Sequence, residues 1–217
     1  MQVRIELTYR TKNGVEAVFS SDEMQAGLAL VIAEDLEKTG RMRQLTFIDN
    51  LDNHWTFKQL KKFMEKVKTE PHDIVVYFDG GFDRNTREAG LGCVIYYKQD
   101  EKLHRIRRNA LVEGFISNNE AEYAALHLGL KELELLGVRH LPITFIGDSL
   151  VVVNQLNDEW PCYEAELAKW MDRIEAKTRQ LGITPTYENV SRKKNREADQ
   201  LATQALQGVE ITSHTEQ

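Results

Sequence analysis

A glutamate set into a helix with almost no polar side is the feature that most restricts this chain. From Asn118 to Leu130 the sequence reads Asn-Asn-Glu-Ala-Glu-Tyr-Ala-Ala-Leu-His-Leu-Gly-Leu. Tyr123, Leu126, Leu130 and Leu133 recur at steps of three, four and three, and Ala121, Ala124 and Leu128 make much of the remaining girth apolar. Such a helix has to be buried. Glu122 stands beside that surface near Ala125 and Gly129, which are small enough to admit a neighbouring strand. A carboxylate in this setting is costly unless it is ion-paired, hydrogen-bonded or bound to a metal.

Three further acids stand where they could meet it. Asp79 ends the apolar run Ile74-Val75-Val76-Tyr77-Phe78, and Asp148 ends Ile143-Thr144-Phe145-Ile146-Gly147. Asp199 lies in Asn195-Arg-Glu-Ala-Asp-Gln-Leu-Ala, near the start of a helix. Singly, each has an ordinary explanation: a turn former before Gly80, a helix cap before Ser149, a surface acid, a helical residue. Caps alone do not require a glutamate beside a buried stripe, or an acid after both apolar strands. Four carboxylates on buried elements suggest a cation site.

Around these segments the chain divides in two. In residues 1–70, Val3, Ile5, Leu7 and Tyr9 alternate with polar residues as in a half-buried strand, and Lys12-Asn13-Gly14 makes a turn into a second strand at Ala17 and Phe19. Ser20 and Glu23 have capping-box spacing ahead of a helix with Met24, Leu28, Val31 and Leu36 inward, ended by Gly40. Leu45–Ile48 reads as a third strand, and Thr56 and Gln59 cap a last helix with Phe57, Leu60, Phe63, Met64 and Val67 inward. This is a small α+β domain, a candidate for nucleic-acid binding or another interaction through Lys58, Lys61, Lys62, Lys66 and Lys68 near Trp55. Lys68-Thr-Glu-Pro-His72 is the expected linker.

Residues 71–207 then read as three meandering strands, a helix, a strand, two helices, a strand and a final helix, with 208–217 as a polar, frayed tail. Gly80 and Gly81 open the first loop, which runs to Ala89. The alternating α/β part favours adding parallel strands to the meander.

Composition, with 41% hydrophobic and 29% charged residues, is that of a soluble globule. No apolar run approaches the ~18 residues needed to cross a bilayer, and Met-Gln-Val-Arg-Ile-Glu lacks the regions of a secretory signal. A cytoplasmic location without membrane contact is expected, and no oligomer is indicated. Cys93 and Cys162 are the only cysteines, too few for a disulfide framework or a cysteine metal site. The net charge of −6 speaks against simple coating of nucleic acid. Yet residues 1–70 balance at eleven bases and eleven acids, and four of the acids in the remaining excess would be the metal ligands.

With these residues in place, 73–206 resembles ribonuclease H type 1 domains, through Phe78-Asp79-Gly80-Gly81, Asn118-Asn119-Glu120-Ala121-Glu122-Tyr123, Gly147-Asp148-Ser149, and Asn195 to Asp199 running into Leu201-Ala202. The resemblance implies an α/β fold with a mixed five-stranded sheet and helices on both faces. It implies an RNA·DNA hybrid as partner, and endonucleolytic hydrolysis of the RNA strand with little sequence specificity. Asp79, Glu122, Asp148 and Asp199 would be the catalytic acids holding two Mg²⁺ ions, with Mn²⁺ as a substitute. Asp79 would bridge the ions, Asp199 would hold the one that activates water, and Glu122 with Asp148 the one at the leaving oxygen. Asn118 and Asn119, the latter favoured, would read the 2′-hydroxyl that separates RNA from DNA. Gly80, Gly81, Arg192 and Asn195 would be further substrate contacts. Two departures stand out. Residues 183–198 lack the histidine that many bacterial members carry before the last acid, having Arg192, Lys193, Lys194 and Arg196 instead. Residues 158–181 hold six acids against four bases, so the basic helix of bacterial members is missing. Slower turnover is expected. The alternative is a catalytically weak or inactive module that binds nucleic acid or protein.

Overall fold

The computed structural model describes residues 1–217, which separate into two compact units, Met1–Glu70 and Pro71–Gln217. In the first, β1 (Gln2–Arg10) turns into the antiparallel β2 (Glu16–Ser20), followed by β3 (Met24–Gln25), α1 (Ala26–Lys38), β4 (Met42–Asp49), β5 (His54–Trp55) and α2 (Phe57–Thr69). The strands order as β2-β1-β4-β5, with β3 also on β1. The capping box forms as its spacing requires: Thr56 Oγ1 accepts from Gln59 N, and Thr56 N donates to Gln59 Oε1 at 2.9 Å.

The inward face expected for α1 is not the one observed. Leu28 and Val31 are exposed, while Ala26, Ala29 and Ala33 pack with Val3, Ile5 and Phe47. Met24 pairs with Val3 as part of β3, so the helix begins at Ala26 and Ser20 does not cap it. Once Met24 belongs to the sheet, the small alanines are the side chains that face it.

In the second unit, β6 (His72–Asp83), β7 (Glu88–Gln99) and β8 (Lys102–Glu113) form the antiparallel meander. Gly80 and Gly81 are not in a loop. They extend β6, opposite Leu91 and Gly90. Next come α3 (Asn118–Leu135), β9 (Pro142–Gly147), α4 (Leu150–Leu156), α5 (Ala165–Leu181) and β10 (Thr184–Asn189). A 3-10 turn at Arg192–Lys194 leads into α6 (Arg196–Leu206). β9 lies parallel to β6 and β10 parallel to β9. Tyr123, Leu126, Leu130 and Leu133 of α3 are buried in one core with Val76, Phe78, Phe145 and Ile174.

A sixth strand joins the five. Thr212–Glu216 is β11, antiparallel to β8, giving the order β10-β9-β6-β7-β8-β11, so the expected frayed tail is ordered. Its residues are polar; the backbone ladder to β8 holds it, with side-chain hydrogen bonds along it and along the segment leading into it. Buried Asn109 donates to Leu201 O and Val209 O at 3.0 and 2.9 Å and accepts from Ile211 N at 2.7 Å. Tyr97 Oη then meets His214 Nε2 at 2.8 Å, and Lys102 pairs with Glu216 at 2.7 Å. No helix is long and apolar enough to cross a membrane.

Candidate active site

The helices reach the strands because glycines leave room for them. A Cβ at Gly80 would stand 2.2 Å from the carbonyl carbon of Ala121 and 2.4 Å from Glu122 N. Only glycine lets the first turn of α3 rest directly on β6, and this contact sets Glu122 beside Asp79. On β7, a Cβ at Gly90 would stand 2.1 Å from Ala202 O, and one at Gly92 2.4 Å from Ala198 O. These two seat α6, the helix that carries Asp199. On β9, Gly147 leaves space for the ring of Phe78, and Asp148 follows it directly. Ser149 Oγ then accepts from Val152 N and caps α4.

Asp79, Glu122 and Asp148 each offer a carboxylate oxygen within 4.8 Å of the others, close enough to share a metal ion. Asp79 and Glu122 are buried, at 7% and 3% exposure, and Asp148 is half-buried. Burial, then the charges of Asp148 and Asp199, push the Asp79 carboxyl up to about 7. Burial, then Asp79 and Asp148, hold Glu122 well above the usual carboxylate range, against opposing help from the Gly80 N–H and Arg192. Glu122 Oε2 is buried with no hydrogen-bond partner. Oxygen donors alone, crowded and short of positive charge, suit a hard divalent cation better than a zinc site built on histidine or cysteine.

Asp199 lies outside that trio. It is half-buried, and its Oδ1 accepts from Arg192 Nε at 3.0 Å and Nη2 at 2.5 Å. Arg192, expected to reach substrate, is engaged here with an acid. All four acids and Arg192 line one open cleft of about 510 Å³.

The other candidate residues separate. Ser117, not Asn118, caps α3, its Oγ accepting from Glu120 N at 3.2 Å. Asn118 is therefore exposed on the cleft wall, with Gly80 and Gly81 also lining it. Asn119, the favoured one of the pair, is half-buried and does not line the cleft. Asn195, expected to touch substrate, is 1% exposed, and its Nδ2 donates to Phe78 O at 2.9 Å. This bond ties the start of α6 to the residue before Asp79. Asn189, Ser191 and Thr203 also line the cleft. Asn189 ends β10, Ser191 follows it and Thr203 sits one turn beyond Asp199, in no motif that marks them.

A family model described as reverse transcriptase-like matches residues 77–205. The uncharacterized protein YpeP of Bacillus subtilis strain 168 is 44% identical over 216 residues, 99% of this chain and 95% of that protein. Among solved structures, the N-terminal RNase H domain of rv2228c from Mycobacterium tuberculosis is 30% identical, with a TM-score of 0.54, covering 62% of this chain and 94% of that one. RNase H1 from the halophilic archaeon Halobacterium salinarum is 26% identical, with a TM-score of 0.54, over 63% of this chain and 98% of that one. LC11-RNase H1, solved in complex with an RNA/DNA hybrid, is 25% identical, with a TM-score of 0.55 and coverages of 63% and 98%.

Proposed function

The chain belongs to the reverse transcriptase-like family, with a ribonuclease H-like domain, and from that premise we propose that it is a divalent-metal-dependent endoribonuclease acting on the RNA strand of RNA·DNA hybrids. The observation that carries this reading is the cluster of Asp79, Glu122 and Asp148 within 4.8 Å, with a buried Glu122 oxygen left unpartnered. Asp79, Glu122 and Asp148, with Asp199 beside them on the same cleft, would hold the cations. When bound, cations such as Mg²⁺ or Mn²⁺ neutralise charge on the attacking and leaving oxygens of an in-line phosphodiester hydrolysis.

The chain's own residues supply the rest. Gly80 and Gly81 line the cleft with backbone atoms beside the acids, where a sugar-phosphate backbone would lie. Asn118, exposed at the wall, can donate to and accept from a 2′-hydroxyl, which selects RNA over DNA. Binding through backbone and sugars gives little sequence preference.

The Arg192–Asp199 ion pair supports a second reading, a module that binds hybrid with weak or no hydrolysis, because it occupies the fourth acid. Incubating the protein with labelled RNA·DNA hybrid, duplex RNA and duplex DNA, each with Mg²⁺ or Mn²⁺, separates the two. Cleavage confined to the hybrid and lost in Asp79→Asn supports the enzyme. Tight hybrid binding without products supports the module, and cleavage of duplex DNA defeats both.

A further inference from the structure

Four cations of the amino-terminal unit converge on one cleft that no acid lines. Arg10 at the end of β1, Lys12 in the following turn, and Arg41 and Arg43 at the start of β4 surround an open cavity of about 610 Å³, with Thr11 and Asn13. Strand pairing brings them together, since Tyr9 lies opposite Met42 and Arg10 N donates to Arg41 O at 2.9 Å. Residues 1–70 are neutral overall, with eleven bases and eleven acids, so this clustering is a segregation of charge and not a surplus. The acid in contact is Glu16, 3.7 Å from Arg10 in a pair with both side chains about half exposed, which neutralises little. Arg41 is held in place: its Nη1 donates to Tyr9 Oη at 2.7 Å, and the tyrosine ring packs edge-on against Phe19.

We infer that this cleft binds the phosphate backbone of a nucleic acid. Arginine forks match phosphate oxygens in pairs, and three of the four cations are arginines. The cleft is open and mostly polar, which suits a polymer passing through it better than an enclosed small molecule. The lysines of α2 are the weaker candidate, because Lys61 pairs with Glu34 at 3.0 Å and Lys66 with Glu70 at 3.4 Å. A second anchor also answers a shortage, since residues 158–181 carry six acids against four bases. Nucleic acid, among polyanions, rests on the nuclease reading of the second unit; the charge segregation does not.

The test measures binding apart from catalysis. Fluorescence anisotropy of a short labelled hybrid with the full chain, in EDTA, is followed over about 50 to 200 mM salt. Arg10→Gln/Lys12→Gln/Arg43→Gln is expected to bind about tenfold more weakly or worse at the low end, with a salt slope shallower by roughly 2 to 3. Arg10→Lys/Arg43→Lys, which keeps the charge and loses the forks, should retain the salt slope while giving up part of the affinity. Lys58→Gln/Lys62→Gln/Lys66→Gln should change binding less than about twofold, being surface charges off the cleft. Wild-type affinity in the cleft triple variant, equal loss in the α2 variant, or a salt slope lost even with lysines overturns the inference. So does a loss of phosphatidylglycerol-vesicle binding with hybrid binding intact, which would assign the cleft to a lipid surface. Because no metal is present, a chain that never cleaves hybrid can still pass, and an active nuclease can still fail.

Discussion

Replacing Gly80 with alanine tests whether the site is built by backbone contact. The added methyl would stand 2.2 Å from Ala121 C, 2.4 Å from Glu122 N and 2.5 Å from Ala121 O. All three are backbone atoms, so no side chain can swing aside. Ordinary contact begins at 3.4 Å, so the first turn of α3 has to retreat by about 1.2 Å, the difference from 2.2 Å. That turn leads into buried Tyr123, Ala124, Ala125 and Leu126, whose packing opens with it. Overpacking of this kind costs about 1–3 kcal/mol, and rigid backbone places it at the upper end. For a unit of this size 3 kcal/mol lowers Tm by about 6–12 °C. Glu122 moves with the helix, away from Asp79 and Asp148, so Mg²⁺ affinity should fall more than stability alone explains. Thermal unfolding and calorimetric Mg²⁺ titration read the two effects. Gly27→Ala, with nothing within 4 Å of the new carbon, is the control and should leave both unchanged or gain slightly in Tm. A Gly80→Ala chain within about 2 °C of wild type and binding Mg²⁺ equally well would refute the argument.

The raised Asp79 carboxyl makes metal-free stability depend on pH. Its stabilising proton is fully held below the unfolded value of 3.8 and lost as pH rises toward about 7, at up to about 1.4 kcal/mol per pH unit. In EDTA, Tm should therefore fall from pH 5 to pH 7, less steeply in Asp79→Asn, which should be the more stable chain at pH 8; the opposite order contradicts the assigned burial. Asn195→Ala removes the buried bond to Phe78 O and should cost about 1–2 kcal/mol in urea unfolding. Hybrid affinity in EDTA should change less than about twofold, where a substrate contact would lose more. Arg192→Gln removes the cation that competes for Asp199, and Mg²⁺ should bind roughly fivefold more tightly, an exposed pair being worth about 1 kcal/mol. Weaker Mg²⁺ binding would show that Arg192 supports the site.

Much of the carboxylate trio was legible because burial leaves a mark in sequence. Glu122 could be singled out by the apolar residues around it, and Asp79 and Asp148 by the strands they end. What misled were places where one backbone geometry serves two residue patterns. Gly80 and Gly81 look like a turn, yet both continue the strand, and the missing side chain of Gly80 admits α3. Leu28 and Val31 sit at helical spacing, yet a two-residue strand at Met24 moves the start of α1 and turns alanines inward. β11 carries no apolar alternation at all. The buried amide of Asn109 anchors the segment that leads into it, and one asparagine in a strand gives no sign of that.

The four acids are not equivalent, and electrostatics accounts for the difference. Three of them are brought together by backbone packing, so neighbouring charge and burial raise the cost of ionising Asp79 and Glu122, and a proton on Asp79 near neutrality relieves it. The fourth sits on α6, half-buried, where a cation can reach it from the loop. Arg192 does so, and it holds its charge across the whole working pH range. A histidine in that loop would release the acid as it deprotonates. An arginine must be displaced instead, so recruiting Asp199 to a shared cation competes with an ion pair at every pH. This competition, more than the inventory of acids, is where the active and binding-only readings diverge.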